Sequence, residues 1–251
     1  MNTSYDIYRI LLYSELLSAP LVLILLLKIP APYGRHNRPG WGPLLNQKIS
    51  WVVMELPAVV LPLLFIMVFF DYFGSWRTQV LALWLLHYLY RTFVFPFGIR
   101  DSRRSFPLLI SSLALLFNIM NAYINWYAIT VINLGRDAWT PIAVMGAVIF
   151  LAGWVLHVSS DRIILGLRGP GKPRYAIPRG GLFRWVSSPQ YLGEIIQWCG
   201  FALMVGTLAG LAFAVFTIAN LLPRAVANHR WYQQQFDDYP AARRRLIPGL
   251  F

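Results

Sequence analysis

The chain has 251 residues, of which 57% are hydrophobic and 16% aromatic, while only 13% are charged, and its formal net charge is +12. Ordinary soluble domains carry about a quarter charged residues, and a chain of this length has no soluble interior large enough to hide so much apolar surface. The composition excludes a soluble enzyme, a disordered chain and a nucleic-acid-binding module, and points to a bilayer as the solvent.

The N-terminal segment carries Asp6, Arg9 and Glu15 among apolar residues. A secretory signal has a basic start, a short apolar core and a small-residue cleavage site, so the first apolar segment is expected to be retained. Stretches near the roughly 20 residues needed to cross a bilayer fall at about 9–29, 49–70, 78–97, 107–133, 138–160, 189–206 and 208–227. They predict an all-α, polytopic membrane protein with seven transmembrane helices in one domain, the last two forming a tight hairpin about Gly206-Thr207-Leu208. Eighteen of the 22 basic residues fall in the loops after the first, third and fifth spans and in the C-terminal tail. The positive-inside rule then puts those segments in the cytosol and the N-terminus outside, in a periplasm or lumen. No internal repeat and no matched pair of broken helices is visible. The single cysteine, Cys199, rules out an intrachain disulfide and a thiolate metal site, and no metal is expected.

Several ionisable residues interrupt the apolar spans. An ionisable side chain at mid-bilayer costs about 2.5–3.5 kcal/mol on insertion scales, so each implies a partner or a purpose. Glu15 reads as a structural or boundary residue, with a ligand contact left open. Glu55 stands in the second span, His87, Tyr88 and Arg91 in the third, and Glu194 near the start of the sixth. Tyr88 and Arg91, three apart, share a helix face. The group suggests a polar cavity, against the plainer reading that Arg91 pairs with Glu55 or Glu194 as structural glue and His87 makes an interhelical hydrogen bond. The segment from Arg162 to Gln190 is basic and rich in Gly and Pro, which fits a phosphate cradle and equally a loop resting on anionic headgroups. Beyond the seventh span, Arg224, Asn228 and Tyr232 recur every four residues and project from one face of a continuing helix. No dinucleotide fingerprint, phosphate-binding loop or metalloprotease motif occurs.

The residues resemble a family, the membrane steroid 5α-reductases or 3-oxo-5α-steroid 4-dehydrogenases, over almost the whole chain. The strongest island runs from Ile177 through Pro189-Gln190-Tyr191-Leu192-Gly193-Glu194 to Trp198. It is followed by Asn228-His229-Arg230-Trp231-Tyr232, Phe236-Asp237-Asp238-Tyr239-Pro240 and Leu246-Ile247-Pro248, with N-terminal echoes at Ala31-Pro32-Tyr33-Gly34-Arg35-His36, Glu55-Leu56-Pro57 and His87 to Val94. The resemblance implies a seven-helix fold, a cytosol-facing NADPH site, and a steroid or other lipid enone entering from the bilayer, in a monomer that touches membrane lipids and no nucleic acid. It also implies that Glu55 and Tyr88 are catalytic and contact the steroid 3-oxo group, with Trp51 and Met54 beside them in the substrate site. Met54 stands where the family carries a Gln, which removes one amide. The cofactor positions implied are Tyr33, Arg35, Arg91, Arg103, His157, Asp161, Arg168, Tyr175, Gln190, Glu194, Arg224, Asn228 and Tyr232, with Arg103 preferred over its neighbours Arg100 and Arg104. The chain is expected to sit in a bacterial inner membrane, as in a bacterial-type homologue, or in that of the endoplasmic reticulum.

Reducing an enone requires a hydride at the β-carbon and stabilisation of charge growing on the carbonyl oxygen. Tyr88 and a neutral Glu55, the form that an apolar cavity favours, are the donors expected there. An enoyl reductase for another lipid is the nearest alternative. A membrane methyltransferase using S-adenosylmethionine, which shares the Pro-x-Tyr-x-Gly element, and a non-catalytic sterol-binding protein are more distant ones.

Overall fold

The computed structural model describes residues 3–69, 74–99, 105–133, 138–167, 171, 173 and 175–251. Apolar residues occupy helices throughout, because inside a bilayer every backbone polar group must be satisfied within its own segment. α1 is Thr3–Lys28. The second stretch is broken into α2, Gln47–Glu55, and α3, Pro57–Val68, where Pro57 takes the first helical position of α3. α4, Ser75–Leu89, continues through a widened π turn, Tyr90–Val94, into the short α5, Phe95–Gly98. α6, Leu108–Tyr127, also ends in a π turn, Ala128–Ile132, and is followed by α7, Pro141–Gly166, α8, Pro189–Val205, and α9, Leu208–Gln235. A two-stranded antiparallel ribbon, β1 (Leu44–Asn46) with β2 (Ser105–Pro107), ties the α1–α2 loop to the start of α6.

Each expected span is therefore a helix, and six of the stretches are long and apolar enough to cross a membrane. α8 is the short one at 17 residues, closed by Gly206 in the left-handed conformation (φ 62°). At 1.5 Å per residue it is about 25 Å long, less than the roughly 30 Å hydrocarbon core. One helix runs on into a segment expected to be loop, and another continues past its span as expected. α7 runs on to Gly166, so Asp161 and Arg162 belong to a helix, and α9 extends to Gln235.

α8 packs along α7 more closely than side chains would permit. A Cβ built on Gly146 or Gly153 would lie 2.4 Å from the backbone N of Met204 or Gln197, and one built on Gly193 or Gly200 would lie 2.5 or 2.4 Å from that of His157 or Phe150. Four glycines thus form the antiparallel seam. α1 lies parallel to α9: Tyr8 and Leu12 pack with Ala209 and Ala212, and the segment after α1 reaches Arg224 and Asn228. α1 runs antiparallel to α6, since Tyr8 stacks on Tyr127 at 5.1 Å and Tyr33 meets Phe106 at 4.9 Å. The central core gathers Trp76, Trp84, Trp126, Trp198, Phe150, Phe201 and Phe213. Arg77, just ahead of the third apolar stretch, is 1% exposed and donates to the carbonyls of Ile129 (3.3 Å) and Asn133 (2.7 Å), so it caps the end of the α6 π turn.

Candidate active site

Glu55 is the last residue of α2, at the joint with α3, and is buried. Its Oε1 accepts from Arg91 Nη2 at 3.4 Å. Asn118 on α6 donates through Nδ2 to the Met54 carbonyl at 2.7 Å and to Glu55 Oε2 at 3.4 Å. Arg91 sits in the π turn after α4, where the extra residue closes an i→i+5 hydrogen bond from Phe95 N to Tyr90 O. Such single-turn bulges cluster at functional sites. The guanidinium lies 4.6 Å from the Trp51 ring centroid and 5.1 Å from that of Phe95, so its faces are stacked and its edge reaches Glu55. The Met54 side chain turns into an apolar cluster with Tyr90, Ile99, Phe106 and Val158. Tyr88 is 3% exposed among the rings of Trp84 (4.8 Å), His87 (5.0 Å) and Trp198 (5.7 Å).

The glycine seam brings a second polar group beside this one. His157 Nδ1 meets the Gln190 carbonyl at 3.1 Å and stands 3.7 Å from Glu194 Oε2, while its Nε2 lies 3.3 Å from Asp161 Oδ2. Tyr90 donates to the same Asp161 oxygen at 3.5 Å. His87 pairs with Gln197 Oε1 at 3.1 Å, and its ring centroid is 5.6 Å from that of His157.

At the loop end of the bundle, the 3₁₀ turn Gly34–His36 and its flank rest on α9. The three α9 residues spaced by four all engage it. Arg224 donates to the Tyr33 hydroxyl, His36 Nε2 is 3.3 Å from Asn228 Oδ1, and the Arg35 guanidinium lies 4.5 Å from the Tyr232 ring and 4.7 Å from that of Trp231. Asn228 also donates to Ser188 Oγ at 3.4 Å, just ahead of α8. Burial pushes the His36 imidazole below its usual range, with Arg35 and Arg38 adding to the effect and the hydrogen bond to Asn228 opposing it. A cleft opens between these elements, lined by Arg35, Ile164, Leu167, Tyr175, Ala176, Pro178 and Tyr232.

From the loop end, polar contacts step along the start of α8, from Asn228 to Ser188, and from the Gln190 carbonyl to His157 and on to Glu194. Arg35 Nη1, Arg224 Nε and Gln190 Oε1 are buried and have no hydrogen-bond partner among the described residues. Orphaned buried donors are costly, and two guanidinium groups beside two tyrosine rings suit a ligand that carries phosphates and planar rings.

The profile of the 3-oxo-5-alpha-steroid 4-dehydrogenase family matches residues 104–251. The chain is 38% identical over 260 residues to a tomato (Solanum lycopersicum) protein named steroid 5-alpha-reductase DET2, covering 100% of this chain and 99% of that one. It is 38% identical over 249 residues to 3-oxo-5-alpha-steroid 4-dehydrogenase 1 of Rattus norvegicus, covering 95% and 93%, and 36% identical over 229 residues to the human protein of that name, covering 87% and 86%. The chain belongs to the 3-oxo-5α-steroid 4-dehydrogenase family. It is an oxidoreductase acting on CH–CH bonds, and an integral membrane protein by its apolar helices and its kinship.

Within this family member, Trp51, Glu55 and Arg91 come together, Met54 joins them only through its backbone carbonyl while its side chain packs away, and Tyr88 lies among aromatic rings with no hydrogen bond to Glu55 among the described residues. His157, Asp161, Gln190 and Glu194 form one polar layer, and Tyr33, Arg35, Tyr175, Arg224, Asn228 and Tyr232 gather at the loop end. Arg103 and Arg168, with Arg100 and Arg104, lie outside the described residues. Sequence reasoning missed Asn118, the clamp on Glu55, and Gln197, the partner of His87. A signal existed: Asn118, Asn121 and Asn125 fall at i, i+3 and i+7 within an apolar span, which is one helix face.

Proposed function

We propose that this family member is an NADPH-dependent steroid 5α-reductase, reducing the Δ4 double bond of a 3-oxo steroid that enters from the bilayer. What carries the reading is the pairing of a buried Glu55–Arg91–Asn118 cluster with a loop-end group of cations in which Arg35 Nη1 and Arg224 Nε are buried without a hydrogen-bond partner among the described residues. It supports a polarising group at one end and a polyanion site at the other. When bound, NADPH supplies the hydride for the β-carbon of the enone.

The chain's own residues do the rest. Arg35, Arg224 and Arg91 hold phosphates as fixed cations, and Arg103 and Arg168 complete that set. Tyr33, Tyr175 and Tyr232 flank rings and ribose, while Asn228, Gln190, His157, Asp161 and Glu194 supply hydrogen bonds. Tyr88 and a protonated Glu55 donate to the carbonyl oxygen, so the charge that develops there as the β-carbon accepts hydride is met by preplaced donors. Asn118 and Arg91 hold Glu55 through contacts of 3.4 Å each, long enough to leave the carboxyl available to the ligand. A proton added at the α-carbon completes the reduction. Residues 1–251 act as one seven-helix, monomeric unit, with the N-terminus outside and the cleft facing the cytosol, where NADPH is. Met54, whose side chain packs away into an apolar cluster, keeps another lipid enone as the second reading.

The test is NADPH-dependent loss of enone absorbance of a 3-oxo-Δ4 steroid by the protein in detergent or nanodiscs. Glu55→Gln and Tyr88→Phe should each lower kcat by about 10²-fold or more, the usual size of such donor effects. Wild-type rates in both variants would overturn the catalytic assignment, and a preference for enoyl thioesters across a substrate panel would overturn the steroid.

A further inference from the structure

Glu15 is fully buried on α1, and neither carboxyl oxygen meets a hydrogen-bond partner among the described residues. It continues the stripe Tyr8, Leu12, Glu15, Ala19 that α1 turns inward. Leu12 shares a buried cluster with Ile124 and Tyr127 of α6. Because the two helices are antiparallel, the next turn inward pairs Glu15 with the level of Asn121. The contacts Tyr8 with Tyr127 and Tyr33 with Phe106 bracket the same register. Asn121 is also buried, and its Nδ2 has no hydrogen-bond partner among the described residues. Its Oδ1 accepts from Asn125 Nδ2 at 2.8 Å, and Asn125 Oδ1 is unpartnered in turn. The same asparagine face of α6 carries Asn118, the clamp on Glu55, one turn further on. Glu15 also lies within electrostatic reach of Tyr88.

A carboxyl with no partner inside a membrane protein marks a ligand pathway more often than a structural joint, and here two unsatisfied amide atoms accompany it. Arg91 and Asn118 already serve Glu55, so nothing in that cluster accounts for Glu15. We propose that Glu15 and Asn121 form a second polar recognition point in the substrate cavity, reading a hydroxyl on the substrate remote from the reacting carbonyl. A carboxyl oxygen accepts a hydrogen bond from the hydroxyl and the Asn121 amide donates one to the hydroxyl oxygen, so one group on the ligand satisfies both orphans. The pair selects substrate and takes no part in bond making. This inference rests on the proposed reductase activity.

The experiment compares kcat/KM for two 3-oxo-Δ4 steroids that differ only in a hydroxyl or a hydrogen at C17, in wild type, Glu15→Leu, Glu15→Gln and Asn121→Leu. Wild type should favour the hydroxylated steroid on the order of tenfold, the value of one good hydrogen bond. Glu15→Leu and Asn121→Leu should bring that ratio near one, and Glu15→Gln should retain part of it. In the ligand-free protein, Glu15→Leu should hold or raise Tm, because it removes a buried group that has no partner. An unchanged ratio in both leucine variants, or a loss of Tm shared by Glu15→Leu and Glu15→Gln, would overturn the proposal and make the carboxyl structural. A wild type that reduces neither steroid would overturn the underlying activity, and the proposal with it. A wild type that reduces both equally would overturn only the recognition point.

Discussion

His36 is the residue on which charge at the loop end turns. Burial keeps its imidazole neutral near pH 7, held to Asn228 at 3.3 Å and flanked by Arg35 and Arg38. Because its pKa is lowered, the proton arrives only below the ordinary histidine range, and its arrival adds a cation to a site that already holds Arg35 and Arg224. Bound phosphate favours that proton, and by reciprocity the proton favours the phosphate. NADPH affinity in a fluorescence titration should therefore strengthen as pH falls from about 7.5 to about 5.5, by up to a few-fold. His36→Asn should remove that increment and leave only the pH dependence of the ligand's own phosphates. An identical pH profile in the variant would show that His36 does not sense the ligand.

At the scale of elements, the α7–α8 seam decides where the polar layer falls. His157 reaches the Gln190 carbonyl and Glu194 only because Gly153 and Gly193 let the two backbones touch. Gly153→Ala places a Cβ 2.4 Å from the Gln197 nitrogen, a backbone atom that cannot step aside. Overpacking of this kind costs about 1–3 kcal/mol, so Tm should fall by several degrees, while Gly166→Ala, with nothing within 4 Å, should not lower it. The helices themselves were legible in the sequence as apolar runs of about 20 residues. The seam was not, because glycines such as Gly146, Gly153, Gly193 and Gly200 are common in any membrane span and reveal themselves only when two helices are seen in register. The role of Arg77 is hidden for a related reason. Near the end of a span it reads as a loop charge, and only the fold places two π-turn carbonyls within its reach. For the candidate site, Glu55 and Arg91 stood out because a charge in an apolar run demands a partner. Asn118 did not, since an uncharged amide costs less to bury and attracts less notice.

Over the whole molecule, the C-terminal tail fastens the loop end. Ser187 Oγ lies 2.6 Å from His229 Nδ1 and 2.7 Å from the Tyr239 hydroxyl, and it donates to the Arg244 carbonyl at 3.1 Å. Arg243 donates to the Pro178 carbonyl at 2.9 Å, and Tyr239 stacks on Tyr232 with ring planes 4° apart. One buried hydroxyl thus joins the segment before α8, the end of α9 and the tail, and the first two of these border the cleft. Ser187→Ala leaves the Tyr239 hydroxyl and His229 without that shared partner, at a cost of about 1–3 kcal/mol. The expected result is a lower Tm together with weaker NADPH binding. Full affinity at reduced Tm would separate the fastening from the cleft.

The parallel pairing of α1 with α9 sets a schedule for biogenesis. α1 leaves the ribosome well before its partner α9, with roughly 180 residues made in between. At about 5–20 residues per second that is a wait of roughly 10–40 s. Throughout it the α1 stripe, Glu15 included, faces lipid or a chaperoning partner instead of its native neighbours. The segment around Arg35 waits equally long for Arg224, Asn228 and Tyr232. The bundle closes and the loop-end cleft is completed in the same late event, so a nascent chain stalled before α9 would be inserted yet lack the cleft proposed for NADPH.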